Sequence, residues 1–192
     1  MTSTPTKQWV LLLRGINVGG RKIVPMIELR ALLKELGLAN VRTYIQSGNG
    51  VFESDLDAAA LTENIETAME AKFGFRPKAM VIAADDFMAA IENCPYPMGN
   101  EDSKTLHFFF LSAKSQSPDL EAITELAKES EAFTLTDKAF YLQAPEGIGR
   151  SKLASNAEKK LGVATTARNL RTIMKIADMV AGNKARRSAP IA

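Results

Sequence analysis

Between Gln8 and Ala83 the hydrophobic period changes in an order that few folds satisfy. Gln8 to Arg14 is a short apolar run without alternation, the pattern of a strand covered on both faces. Pro25 opens a helix whose apolar face is Met26, Leu29, Leu32, Leu33 and Leu36, and Gly37 stops it. Val41, Thr43 and Ile45 alternate with Arg42, Tyr44 and Gln46, and Ser47 to Gly50 supplies turn residues before Val51 and Phe52, so a hairpin or a tight strand-to-strand corner is predicted. Ser54, Asp55 and Asp57 offer caps to a helix with the stripe Leu61, Ile65, Met69 and Phe73, ended by Gly74, and Lys78 to Ala83 returns to strand. The order is β-α-β-β-α-β, the split pattern of ferredoxin-like folds, with four antiparallel strands backed by two helices.

The second half reads as a near-echo. Asp85 and Asp86 are expected to cap a short helix running to Asn93, and the stretch from Cys94 to Asn100, broken by Pro95 and Pro97, marks the boundary between halves. Thr105 to Ala113 is a strand, Ser117-Pro118 starts a helix carrying Leu120, Ile123, Leu126 and Ala127, and Asp137-Lys138 turns a hairpin between Glu131–Thr136 and Ala139–Gln143. Ser151 to Leu161 and Asn169 to Ala181 are the last helices, which puts a helix where a final strand would stand. The expectation is an α/β protein of α+β type: two ferredoxin-like subdomains, 1–84 and 85–192, the second ending in a basic, frayed tail. No residue-level repeat accompanies the echo.

With 192 residues, 46% of them hydrophobic, the chain has enough apolar mass for a real core. Net charge is only +2, but residues 147–187 hold ten Lys/Arg against two acids. A single cysteine, Cys94, forms no internal disulfide, no Cys/His cluster suggests a metal, and no cofactor is expected. The N-terminus is polar and no run of about 18 apolar residues is present, so a cytoplasmic protein without a membrane partner is expected.

Three polar, glycine-bearing loops carry the candidate chemistry. After the first strand, Arg14, Gly15, Asn17, Gly19, Gly20 and Lys22 combine positive-φ freedom with two cations at a strand-to-helix transition, an arrangement that suits phosphate, although neither G-x-G-x-x-G nor G-x-x-x-x-G-K-[ST] is met. Gln46, Ser47 and Asn49 add neutral donors and acceptors, residues that also populate turns for backbone reasons alone. Gly149, Arg150, Ser151 and Lys152 place cations at a helix start, against the usual preference for acids, which calls for an anion nearby. Arg168, Asn169 and Arg171 open the final helix in the same way, with Thr165 or Thr166 as cap; a solvated basic face is the plainer account. His107 in an apolar strand reads as structural.

Taken together, the stretches Leu12 to Gly20, Val24-Pro25-Met26, Glu28-Leu29-Arg30, Arg42 to Asn49, Gly147 to Leu153 and Arg168 to Thr172 resemble the bacterial family called domain of unknown function 1697, over most of the chain from Gln8 to Met179. The resemblance implies a two-subdomain α/β protein of ferredoxin-like character and no established activity. This chain departs from the family pattern at Gly50, Ala167 and Leu170, the last lacking an aromatic ring for base stacking.

The function expected is binding of a small phosphorylated or nucleotide-like anion in a cleft formed by the three loops, with metal-independent phosphoryl chemistry as its catalytic form. The rival class is weak, non-specific nucleic-acid binding through the basic C-terminal segment. Gly147 to Arg187 contains no Phe, Tyr or Trp, which removes stacking and leaves only backbone contacts.

Overall fold

The computed structural model describes residues 6–187, with the backbone alone from 183 onward. The expected tail, Ser188 to Ala192, lies outside the described residues. The described residues form two four-stranded antiparallel sheets and six α-helices. It divides into two compact units, one reaching Met88 and resuming at Lys175, the other running from Ala89 to Met174.

In the first unit β1 (Lys7–Arg14), α1 (Met26–Glu35), β2 (Ala39–Tyr44), β3 (Asn49–Ser54), α2 (Ala58–Phe73) and β4 (Lys78–Ala83) build a sheet of order β2-β3-β1-β4. Trp9, Leu11 and Leu13 of the central strand pack with Leu29, Leu32 and Leu33 of α1 and with Leu61, Ile65 and Met69 of α2. Truncating one of these side chains, as in Leu11→Ala, costs about 2–5 kcal/mol. Asp57 Oδ1 accepts from Ala60 N at 2.8 Å and Gly74, at φ 75°, closes the other end of α2.

The alternate residues of β1, Gln8, Val10 and Leu12, are buried too. From that face Gln8 Nε2 donates to Val180 O at 3.1 Å, and Arg42 Nη2 of β2 donates to Met179 O, carbonyls of the last helix, α6 (Leu170–Arg187). Burial on both faces explains why β1 shows no alternation.

The second unit repeats the topology. Here β5 (Leu106–Leu111), α4 (Leu120–Leu126), β6 (Ala132–Leu135), β7 (Ala139–Gln143), α5 (Lys152–Leu161) and β8 (Thr165–Asn169) give the order β6-β7-β5-β8. Phe109, Phe140 and Leu142 meet Ile123 of α4 and Leu153, Ala157 and Leu161 of α5, with the Phe109 and Phe140 rings edge to face at 5.7 Å. Tyr141 points to the other face, where its hydroxyl donates to Ala90 O of α3 (Ala84–Glu92) at 2.7 Å.

Strand β8 corrects the expectation of a helix in the final strand's place. Thr165-Thr166-Ala167-Arg168-Asn169 has no large aliphatic residue, so its pattern is silent, yet it pairs with β5 from Leu111↔Thr165 to His107↔Asn169. Asn169, not a threonine, then caps α6, accepting from Thr172 N at 3.0 Å. Helix α4 likewise starts later than Ser117-Pro118 suggests, because Asp119 Oδ1 takes the Ala122 N–H at 3.1 Å. Asp85 and Asp86 lie inside the first turn of α3 rather than capping it.

Candidate functional site

The glycine-rich segment after β1 is a miniature hairpin. Val18 and Arg21 form an isolated bridge, Arg21 N donates to Val18 O at 3.1 Å, and Asn17 N donates to Lys22 O at 3.1 Å. Gly19 and Gly20 turn it at φ 58° and 71°, the two positive values that a tight two-residue hairpin turn requires. Asn17 holds this hairpin in place. Its Nδ2 donates to Val24 O at 3.0 Å and to Gln46 O at 2.7 Å, while its Oδ1 accepts from Val24 N at 2.8 Å.

The bond to Gln46 joins the hairpin to the β2–β3 turn, and a second link runs from Leu13 N to Gly48 O at 2.9 Å. Asn49, wholly buried, donates through Nδ2 to Tyr44 O at 3.1 Å and to Ser47 Oγ at 2.8 Å. Two of the three loops singled out in the sequence are therefore one structure at the end of β1, joined by the Asn17 side chain and the Leu13 N–H, while Asn49 braces the β2–β3 turn from within.

What this structure presents to water is positive. Arg14 ends β1 and stands in register opposite Lys78, which begins β4; both are exposed. Lys22, at φ 52°, holds its Nζ 5.6 Å from the centre of the Phe75 ring. The N–H groups of Gly15, Gly19 and Gly20 meet no acceptor among the described residues. From Arg14 through Ile27 the chain contains no acid.

The third loop belongs to the second unit. Gly147, at φ 90°, leads into a short 3-10 turn from Ile148 to Arg150, and Ser151 Oγ caps α5 by accepting from Ala154 N at 2.9 Å. Arg150 therefore precedes the helix rather than lying in its first turn, and only Lys152 opposes the helix dipole from within. Glu146 meets part of the demand for an anion. Its carboxylate is held below its usual range by hydrogen bonds from Lys128 at 2.7 Å and Ser130 at 2.8 Å, with a further contribution from the Arg150 charge.

The Arg168–Arg171 corner leaves the same end of this unit's sheet, since Asn169 pairs with His107 and Gln143 with Leu106. Burial pushes the Arg168 guanidinium down to about 10, still charged at neutral pH, and its Nη1 donates to Ala167 O at 2.8 Å. Arg171 is exposed.

Lys78 escaped the sequence reading, because only strand register puts it beside Arg14. So did a hollow of about 380 Å³ in the second unit, lined by Ala89, Ala90, Asn93, Thr136, Asp137, Lys138 and Tyr141, in which Asp137 is already paired with Lys114 at 3.0 Å. Buried His107 is shifted below its usual pKa by desolvation, and its Nδ1 lies 3.0 Å from Thr105 O. Burial likewise pushes the Cys94 thiol up, away from reactivity. Among the described residues no group of three His, Cys, Asp or Glu side chains is placed to hold a metal ion, and no helix is long and apolar enough to cross a membrane.

Residues 6–141 match the family model described as protein of unknown function (DUF1697). The solved structure of a conserved bacterial protein from Streptococcus pneumoniae is 29% identical, similar over 92% of this chain and 99% of its own, with a TM-score of 0.66. An unknown protein from Galdieria sulphuraria is 14% identical over 86% of this chain and 99% of its own, but its TM-score of 0.29 is too low to carry an argument. No curated protein matches.

Proposed function

This chain belongs to the DUF1697 family, proteins of unknown function, and we propose that it binds a small phosphorylated or nucleotide-like anion at the end of β1. The observation that carries this reading is the Arg14–Lys78 pair. Like charges directly opposite on neighbouring strands repel. An anion between them turns that repulsion into two charge-assisted contacts.

The surroundings favour the same ligand. Gly15, Gly19 and Gly20 offer N–H groups that meet no acceptor among the described residues, Lys22 adds a third cation, and the Asn17 bonds hold the loop in shape before any ligand arrives. A site formed in advance loses less entropy on binding. The unpaired Cys94 suits a reducing compartment such as the cytoplasm.

Titration of the ¹⁵N-labelled protein with inorganic phosphate and with ATP tests it. Amide shifts should saturate at Gly15, Gly19, Gly20 and Lys22. Shifts confined to other segments, or none at millimolar ligand, contradict the proposal.

A further inference from the structure

Four of the eight large apolar side chains exposed among the described residues lie on the two joined loops of the first unit and the start of α1: Val18 at 68%, Ile23 at 57%, Ile27 at 70% and Ile45 at 48%. Scattered singly, exposed aliphatic residues mean little. These four share one base. Val18 follows Asn17; Ile23 precedes Val24, which exchanges two hydrogen bonds with the Asn17 side chain; Ile45 precedes Gln46, whose carbonyl takes the other Nδ2 hydrogen; and Ile27 lies in the first turn of α1.

Ile45 adds an independent observation. It sits at φ 47°, a left-handed conformation that β-branched residues rarely adopt, and there it turns its side chain to water. A solvent-facing turn gains nothing from isoleucine at such a position, where glycine or asparagine serves better. Around the four aliphatic groups stand Arg21 and Lys22, both exposed, and Arg30, whose Nη1 donates to Thr43 Oγ1 at 2.7 Å. Residues 14–34 hold five cations against the single acid Glu28.

We infer that this basic, aliphatic crown is the docking surface for an acidic protein segment in which carboxylates flank aliphatic residues. Charge complementarity selects the acidic partner. A second copy of this chain would bring like charges together. None of the eight exposed apolar side chains is aromatic, so the crown lacks both the stacking groups of a single-strand reader and the Trp and Tyr of a bilayer-interface anchor. Val and Ile are complementary to aliphatic side chains. The surface shares Lys22 with the proposed anion site but uses neither Arg14 nor Lys78, so variants of that pair tell the two apart.

Methyl-labelled full-length protein titrated with a synthetic peptide of alternating glutamate and leucine tests it. The account expects shifts at the methyls of Val18, Ile23, Ile27 and Ile45, weakened by added salt. Ile45→Gly, which suits the positive φ and so preserves the fold, should weaken binding roughly tenfold, about 1.4 kcal/mol. Arg14→Gln with Lys78→Gln should leave peptide binding in place, even where phosphate binding is lost or was never present. Absence of methyl shifts overturns the inference. So does an equal response to a glutamate–serine peptide, or tighter binding of the same methyls to phosphatidylserine vesicles or to oligouridine.

Discussion

Arg14 and Lys78 stand directly opposite one another at the end of neighbouring antiparallel strands, two exposed cations in register. A pair of that kind opposes folding slightly unless something negative lies between its members. Replacing Lys78 with Glu should therefore stabilise the empty protein, by about 0.2–1 kcal/mol on the scale of cross-strand pairs. Urea midpoints of the two proteins at low salt measure it, and the gain should shrink as salt is added.

Asn17 gives a second expectation. Its side chain makes three hydrogen bonds, one of them to the N–H of Val24, a residue with no exposed surface. Asn17→Ala leaves those groups unpaired, a loss of about 1–3 kcal/mol. It also forces alanine to φ 54°. Asn17→Gly loses the same bonds without that strain and should be milder by roughly 1 kcal/mol. Equal destabilisation by the two variants would contradict the assigned backbone strain.

Gly48 is the tightest point of the joined loops. Besides its φ of 72°, a Cβ there would lie 2.7 Å from both Leu13 Cβ and Ile16 Cδ1. Because Leu13 Cβ cannot swing away, Gly48→Ala should cost clearly more than Gly74→Ala, whose φ of 75° carries strain alone, about 1–2 kcal/mol. Chemical denaturation of both variants supplies the comparison. Gly48→Ala should also loosen the loop pair, visible as faster amide exchange at Gly15 to Lys22.

His107 sets a pH dependence. Burial holds its folded pKa below the ordinary 6.5, opposed in part by the contact with Thr105 O. Between those two pKa values the unfolded chain binds a proton that the folded chain refuses, so stability is full above about pH 6.5 and falls as pH drops through that value toward the folded pKa. Carboxylates such as Glu63, Asp119 and Glu146, whose pKa values are lowered, lose their contributions only in more acid solution. His107→Gln should flatten stability between pH 7 and 5.5, the window in which histidine titrates. An unchanged slope would place its origin elsewhere.

The sequence reading reached elements whose signal is local. The cap Asp57 and the stop Gly74 act within one turn of the helix they terminate, so they stand in the chain as they stand in the fold. Strand β1 declared itself through burial on both faces. Strand β8 did not, since its pairing with β5 supplies the stability its own residues fail to advertise. The candidate loops were found from glycine and cation spacing, but the roles within them depended on long-range bonds. Asn17 and Asn49 looked like ligand donors and are internal ties, whereas Lys78 looked like an ordinary strand start and faces Arg14.

The central claim, an anion site at the end of β1, is tested most directly by melting the parent and an Arg14→Gln, Lys78→Gln double variant with and without phosphate. A ligand that binds only the folded state adds RT ln(1 + [L]/Kd), about 2.7 kcal/mol at a hundredfold excess over Kd. The account predicts that phosphate raises the parent's Tm in a concentration-dependent way and leaves the variant's Tm unmoved. A parent insensitive to phosphate, or a variant that keeps the full shift, would contradict it.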